Sequence, residues 1–507
     1  MTTKRLLAVD LGASGGKCFA GTVGPDGFRM DEVHRFAHEG VAFHLPDRRG
    51  TVAERAHWDD TFIYQQIVRG LLAYRRAHGS GLDAIGIDTW GADGMMVSAD
   101  GEQIGKVYCY RDHRLDTMIE EVAARIDRDR IYAITGIHFQ PFNLSNQLLW
   151  FVTRRKDLLR ACARFLPMPT LFYHYLGGGQ EIDSTWASIT QLMDARRHRW
   201  SAEILRGLGI PSRLLPAIVE PGARVGTLRS GLAAAAGVDA AALIAVGSHD
   251  TASAFAAAPV ADADRALIVS SGTWSLVGRL VPRPITTAEA MAANLSNEGG
   301  IGNTRLLKNC MGTWIVQELL RVWETADGHR MAWAEVERLA AAAPAFAGFI
   351  DPDDRGFFNP ANMEQAIRDY LARTRQPAPA DRGCLLRLVY ESLALQYRRV
   401  EAQIASVVGT PADAVHIVGG GSRSALLNQF AANALRRTVL AGPEDATAVG
   451  NLMVQAVGVG ALPDLAAAQP LIRAAFPIRE FRPADDAAWD AAFMSFQRCT
   501  SPADQRP

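Results

Sequence analysis

The sequence predicts an α/β fold of two domains with a duplicated core, and three observations carry the prediction. The chain of 507 residues is longer than one hydrophobic core usually serves, so two domains of about 250 residues are expected. Two strand–turn–strand patterns, at residues 5–23 and 265–280, recur about 260 residues apart, one in each expected domain. Between them an apolar run at 243–246 ends in Gly247 and delivers Asp250, flanked by His249 and Thr251, to the end of a strand. Ligands of open α/β folds collect at strand ends of that kind.

Composition narrows the function. Hydrophobic residues make up 48% and charged residues 21%, ordinary globular values, so a large core is available. The 53 Lys and Arg against 54 Asp and Glu leave a net charge of −1 and no basic stripe, which argues against a nucleic-acid partner. The six cysteines are scattered without a CxxC pair, as expected of reduced, mostly buried thiols and not of disulfides or a zinc site. Few apolar residues precede Asp10, too few for a signal-peptide core. The longest uncharged apolar run, 339–350, contains Pro344 and is too short to cross a bilayer. A cytoplasmic protein without a membrane partner is expected.

Taken in order, residues 5–23 read as a strand, a glycine turn (Gly12-Ala13-Ser14-Gly15-Gly16) and a second strand starting near Lys17, closed by Pro25-Asp26-Gly27. Glycines between strands can aim several backbone N–H groups into one concavity, as phosphate oxygens require; a plain hairpin turn explains them at least as well. Gly12-Ala-Ser14-Gly-Gly16 also matches G-x-S-x-G, but a nucleophile elbow must open a helix, and here a strand follows. Gly16-Lys17 ends like a Walker A loop with the wrong spacing and Cys18 in place of Ser or Thr. Residues 82–94 form a buried-type strand running into a loop with Trp90, Gly91 and Asp93. An indole beside short carboxylates suits a sugar, whose apolar face packs on the ring while its hydroxyls bond to Asp; a core Trp beside a solvated Asp is an equal reading.

Helical spacing covers 115–124 and 147–159, and 141–143 and 167–169 read as loops. Residues 181–188 suit either a capped helix start or the edge of a site. The Ala-rich 231–242 reads as a helix before the Asp250 strand. After it a second helix begins, with Asp250 or Thr251 as N-cap; a lone Asp at a helix start is more often a cap than a catalyst. The second strand–turn–strand unit places Thr273 in its turn. Downstream come Asn309, a helix carrying Trp314, Gln317, Leu319 and Val322, and a strand ending in Gly419-Gly420-Gly421 before another helix. A backbone stripped of side chains there lets a flat base lie against it. The last long helix opens near 441–451. Domains at 1–246 and 247–500 follow, with a disordered tail at 501–507.

In order along nearly the whole chain, Asp10-Leu-Gly-Ala-Ser-Gly-Gly, Asp88-Thr-Trp-Gly91, Tyr110-Arg-Asp112, Pro141-Phe-Asn143, Ser248-His-Asp-Thr-Ala-Ser253, Ser270-Ser-Gly-Thr-Trp-Ser275, Asn297-Glu-Gly-Gly300, Leu307-Lys-Asn309 and His416-Ile-Val-Gly-Gly-Gly421 form a specific set. The set resembles the FGGY carbohydrate kinases, and within them the branch whose sugar is the ketose L-rhamnulose. The resemblance implies two actin-like, ribonuclease H-like domains (the sugar kinase, Hsp70 and actin superfamily) with the active site in the cleft between them. It implies Asp250 as the proton acceptor. It places the sugar near Trp90, Gly91, Asp93, His249, Thr251 and Asn309. It places ATP on Ala13, Ser14, Gly15, Gly16, Lys17 and Thr273, with Gln317, Gly420 and Gly421 holding the nucleotide. Asp10 would hold Mg²⁺ through water, since that ion keeps most of its hydration. Lys17 stands where the family pattern has Arg, exchanging a bidentate grip for a point charge. Ala92 and Gly94 stand where the pattern has bulkier apolar residues.

The reaction implied is ATP-dependent phosphorylation of O1 of L-rhamnulose, by a monomer or weak homo-oligomer whose partners are the sugar and ATP. Two alternatives stand beside it: a kinase of another ketose, such as L-fuculose or L-xylulose, and a sugar- or nucleotide-binding regulator without turnover. A binding module needs neither Asp10 nor Asp250.

Overall fold

The computed structural model describes residues 2–46, 50–260 and 262–500; the tail at 501–507 lies outside them. In chain order the elements that matter are β1 (Lys4–Gly12), β2 (Gly15–Gly24), β3 (Gly27–Ala37), α1 (Asp60–His78), β4 (Ala84–Thr89), β5 (Arg224–Thr227), β6 (Ala242–Ile244) and α2 (Asp250–Ala256). They continue with β7 (Ala266–Ser271), β8 (Trp274–Val281), β9 (Thr304–Met311), α3 (Trp314–Asp327), β10 (Ala414–Val418), β11 (Val439–Ala441), α4 (Ala446–Gly458) and β12 (Arg479–Phe481). Two compact units result, one of residues 1–257, 280–306 and 446–475, the other of 258–279, 307–445 and 476–507. The boundary expected at 246/247 passes between β6 and α2, inside the first of these units.

The first unit is organised on a six-stranded sheet in the order β5-β6-β4-β1-β2-β3. β1 is parallel to β4 and antiparallel to β2. Leu6, Leu7, Ala8 and Val9 of β1 are all fully buried, the continuous apolar run of a strand covered on both faces. One cover is α1. Asp59 caps it by accepting from the Phe62 N–H, Asp60 opens it, and Arg75, Arg76 and His78 close it, each charge matching the helix dipole. Its Ile63, Ile67 and Leu71 enter the core, where truncation of Ile67 to Ala costs about 2–5 kcal/mol. The other cover includes α4, which packs on β1, β2, β4 and α2. Gly86 of β4 permits that approach, since a Cβ there would stand 2.5 Å from Asn451 Oδ1.

In the second unit β7 is antiparallel to β8 and parallel to β10, so the same plan is repeated. Its sheet includes β9, β8, β7, β10, β11 and β12 in that order.

Several local expectations are corrected. The helix expected at 115–124 is shorter, Met118–Ala123, after a single turn at His113–Leu115. The 147–159 stretch is two helices, Leu144–Arg154 and Lys156–Ala161, because Arg155 leaves helical geometry at φ −134°, ψ 50°. The Ala-rich helix stops at Ala236, where Gly237 adopts φ 70°. Residues 167–169 join a strand directly to the helix Met168–Leu176, with Pro169 in its first turn, where a missing N–H costs nothing. The alternative at 181–188 resolves as a helix, Ser184–Ser188, capped by Asp183. The α3 face turned inward is Ile315, Val316, Leu319, Leu320 and Trp323, with Trp314 and Val322 at its margin. A further long helix, Asp486–Cys499, follows the one expected to be last. Five of the six cysteines are buried and all six are free thiols. No helix among the described residues is long and apolar enough to cross a membrane.

Candidate active site

In the first unit, the β1–β2 hairpin closes on Ala13-Ser14, with Gly12 opposite Gly15 and Asp10 opposite Lys17. Gly15 and Gly16 are required by β3, their neighbour across the sheet. A Cβ on Gly15 would lie 2.6 Å from the Phe36 carbonyl oxygen, and one on Gly16 would collide with the Phe36 ring. His38 ties the turn down, its Nε2 2.9 Å from the Gly12 carbonyl oxygen. Lys17 sits 5.9 Å over the Phe19 ring.

Asp88 on β4 stands in register beside Asp10. It is fully buried, and burial first, then the charge of Asp10, pushes its carboxyl well above the ordinary range. Asn451 Nδ2 donates to Asp88 Oδ2 at 2.5 Å, while Gln455 Nε2 donates to Asn451 Oδ1 at 2.6 Å and to the Leu7 carbonyl at 3.1 Å. Asp88 Oδ1 has no hydrogen-bond partner of this kind among the described residues. The sequence singled out neither Asp88 nor these amides for a site, although two amides four residues apart in the otherwise apolar α4 were a readable signal.

The loop after β4 is built around a buried acid. Asp93 is withdrawn from solvent, with 0% exposure, and its carboxylate accepts from Trp58 Nε1 (2.7 Å), Trp90 Nε1 (3.3 Å), the Tyr110 N–H (3.0 Å) and Gln147 Nε2 (3.1 Å). It adopts φ 74°, which an Asp tolerates better than most residues. Three of these donors meet Oδ2 and one meets Oδ1, so Asp93 holds the loop together from inside. Burial raises its carboxyl to about 6 against those donors. Trp90 is likewise buried, its ring 4.5 Å from that of Trp58.

The His249-Asp250-Thr251 turn lies at the end of β6. Thr89 N–H donates to the Ser248 carbonyl at 2.8 Å, which attaches the turn to β4. The N-cap of α2 is His249, with Asp250 the first helical residue, so the cap lies one residue before Asp250 and two before Thr251, the expected caps. Its carboxylate accepts from the Thr251 N–H at 2.6 Å and the Thr251 hydroxyl at 3.1 Å, and its side chain keeps 31% of its exposure. A charged carboxylate in the first helical turn is favoured by the helix dipole. His249 Nε2 lies 3.5 Å from Asp250 Oδ1. Behind it are two further buried charges that the sequence did not single out, Glu298 and Arg305. Gly91 faces this imidazole: a Cβ there would stand 2.8 Å from His249 Nε2 and 2.6 Å from Ile189 Cδ1.

The second unit gathers the remaining residues. Thr273 is exposed in the β7–β8 turn, and its carbonyl accepts from the N–H groups of Gly312 and Trp314, at 3.0 and 3.2 Å. Gln317 Nε2 lies one helical turn on, donating to the Thr313 hydroxyl at 3.2 Å, and that hydroxyl donates to the Gly272 carbonyl at 2.8 Å. Gly421 abuts the same strand end, since a Cβ on it would collide with the Ser271 hydroxyl; Gly420 has open space. Thus β7, α3 and the glycine turn after β10 bring Thr273, Gln317, Gly420 and Gly421 to one region of this unit. Asn309 lies on β9 with its Oδ1 buried and unpartnered among the described residues.

Comparison with known proteins agrees in sequence and fold. Residues 7–256 match the model described as the N-terminal domain of the FGGY family of carbohydrate kinases, and 267–459 match its C-terminal domain. The chain is 38% identical over 499 residues to a rhamnulokinase of Bacteroides thetaiotaomicron, covering 98% of this chain and 99% of the relative. It is 38% identical over 506 residues to one of Pectobacterium carotovorum, covering 99% and 98%. Among solved structures, a ligand-bound xylulose kinase of Lactobacillus acidophilus superposes with a TM-score of 0.76 at 16% identity, covering 97% of each chain. A Plasmodium falciparum glycerol kinase with ADP gives 0.75 at 15%, covering 98% and 97%.

Proposed function

The chain belongs to the FGGY family of carbohydrate kinases, with the two-domain α/β fold of such kinases and ATP as co-substrate, and we propose that it transfers the γ-phosphoryl group of ATP to O1 of L-rhamnulose. The observation that carries this reading is the half-exposed Asp250 carboxylate at the start of α2, beside His249, in the unit whose hairpin presents Asp10 and Lys17. A primary hydroxyl is almost wholly protonated near neutral pH, so a base within hydrogen-bond reach must take its proton as attack proceeds. Asp250 is that base. Its hydrogen bonds to the Thr251 N–H and hydroxyl fix its orientation while leaving it an exposed face.

The remaining barrier is one of charge and alignment. Backbone amides of Ala13 to Gly16 and the Lys17 ammonium bind phosphate oxygens, and Thr273, Gln317, Gly420 and Gly421 hold the nucleotide. Gly91, His249 and Thr251 bind the sugar, as does Asn309, while Trp90 and Asp93 support the loop that carries Gly91. The Asp10 and Asp88 carboxyls, in register on neighbouring strands, offer the hard oxygen donors that Mg²⁺ takes. When bound it would neutralise phosphate charge. The protein acts in the cytoplasm as a monomer or weak homo-oligomer, consistent with its free thiols.

The test is ATP consumption with a panel of ketoses. L-Rhamnulose is expected to give the highest kcat/KM. A higher value for L-fuculose or L-xylulose would reassign the sugar, and binding without turnover of any ketose would make the protein a regulator.

A further inference from the structure

The His249 imidazole is held from behind by two groups that the reaction as described does not use. Glu298 and Arg305 are 2% and 0% exposed, and His249 is 8% exposed. Arg305 Nη2 lies 3.2 Å from His249 Nδ1, in hydrogen-bonding geometry. Its Nε donates to the Gly299 carbonyl at 2.9 Å, which fixes the plane of the guanidinium. Glu298 Oε2 is 3.3 Å from the same His249 nitrogen and 3.2 Å from Arg305 Nη2, yet it is aligned with no donor among the described residues. Two tautomers compete here. If Glu298 accepted from Nδ1–H, Nε2 would turn a lone pair towards the Asp250 carboxylate. If Arg305 donates to Nδ1, the single imidazole proton must sit on Nε2, because guanidinium has donors only.

We propose that Arg305 is a positioning residue: it hydrogen-bonds His249 Nδ1 and keeps the imidazole neutral with its proton on Nε2, as a donor to a hydroxyl oxygen of the sugar, while Glu298 is the counter-ion of the guanidinium. This deepens the sugar-kinase reading and rests on it for the identity of the acceptor.

Three observations support the assignment besides the hydrogen-bond geometry. Nε2 lies 3.5 Å from Asp250 Oδ1, a distance at which a protonated nitrogen is attracted and a lone pair is repelled. Gly91 keeps a side chain away from that nitrogen, since a Cβ there would stand 2.8 Å from Nε2. A buried guanidinium without a carboxylate is costly, and Glu298 supplies that charge, with Asp183 and Asp250 adding to it. Burial works against the ionised Glu298 carboxyl, and the adjacent charge of Arg305 is the largest influence opposing it, as a counter-ion requires. With its proton on Nε2, His249 does not compete for the sugar's proton, and that task stays with Asp250.

The test is long-range ¹H–¹⁵N correlation of histidine-labelled full-length protein, with His249→Asn assigning the signals. The expected result is a protonated Nε2 and an unprotonated Nδ1 at neutral pH. A proton on Nδ1, or on both nitrogens, overturns the proposal. Arg305→Lys cannot keep both its bonds, and should lower kcat/KM for the ketose by roughly tenfold to hundredfold while leaving the KM for ATP within about twofold. Unchanged ketose kinetics in that variant overturns the positioning role. Should the variant not fold, the wild-type spectrum alone decides the tautomer. The spectrum needs no turnover, so a protein that phosphorylates no ketose would fail the function while still reporting the tautomer.

Discussion

Hairpins β1–β2 and β7–β8 are built on one plan: each first strand has an antiparallel partner after a short turn and a parallel partner on its other side, β4 or β10. Their chemistry differs. The first turn is flanked by Asp10 opposite Lys17, with Asp88 in register on the parallel strand. The second is flanked by Ser271 and Ser275, and its carbonyls are taken by the start of α3. Titratable groups that can move a proton or meet a phosphate are thus concentrated on one copy, while the other offers hydroxyls and bare backbone. The frame recurs in both units, while the charged side chains flank only the first hairpin's turn.

The largest effect expected of any single change tests that asymmetry. Asp250→Ala, in the first unit, should lower kcat by about 10² to 10⁴, the range for a lost general base, with sugar and ATP affinities little altered. Near-normal turnover in a steady-state assay would remove Asp250 from the chemistry. Thr273→Val in the second copy should leave kcat within a few-fold and act on the KM for ATP. A kcat loss comparable to that of Asp250→Ala would erase the distinction between the halves.

The buried carboxyls of the first unit sharpen the comparison through pH. Asp93 is raised from 3.8 to about 6, so the folded protein holds a proton there that the unfolded chain has released. Stability from this group is present in full below about 4 and is lost as pH rises towards 6, by about 3 kcal/mol at about 1.4 kcal/mol per unit. Glu298 moves the other way, from 4.5 to about 2, so its contribution is present above about 4.5 and is lost as pH falls. Denaturation midpoints of the wild type and Asp93→Asn between pH 4 and 7 should converge as pH rises. A constant difference across that window would show that Asp93 does not titrate there.

Glycines of the second copy separate packing from ligand approach. Gly421→Ala meets the Ser271 hydroxyl and should cost about 1–3 kcal/mol by overpacking, read as a lower melting temperature and a raised KM for ATP. Gly420→Ala enters open space and should leave stability within about 0.5 kcal/mol. If Gly420→Ala still weakens ATP, the nucleotide lies against that position.

Much of this was legible in the sequence because it is local. The turns at 12–16 and 271–274, the strand before Asp250 and the triple glycine announce themselves through composition over a few residues. What was missed is nonlocal. A short acid beside an indole pointed to a sugar at Asp93, and only the fold shows Trp58 and Gln147 arriving from 35 and 54 residues away to donate to it. Arg305 reaches His249 across 56 positions, and Asn451 reaches Asp88 across 363. Nor could spacing tell that Gly15 and Gly16 answer to Phe36 on β3. Their small size is explained by packing before any phosphate is considered, and the two uses are compatible, because a backbone pressed by a neighbour on one side is bare on the other.

Lys17 is the smallest and most discriminating probe of the first copy. Its ammonium is a point charge on a flexible stem, stacked 5.9 Å from the Phe19 ring and directly across from Asp10. If it meets a phosphate oxygen, Lys17→Ala removes one charge-assisted contact and should raise the KM for ATP by about tenfold, with ketose affinity unchanged by calorimetry. Lys17→Arg offers a bidentate fork in the same place and should match or exceed the wild type in ATP affinity. A Lys17→Ala protein that binds ATP normally but loses the sugar would move the charge of this hairpin from the nucleotide to the acceptor. The first copy would then serve the sugar alone, and the second would carry the whole of the nucleotide.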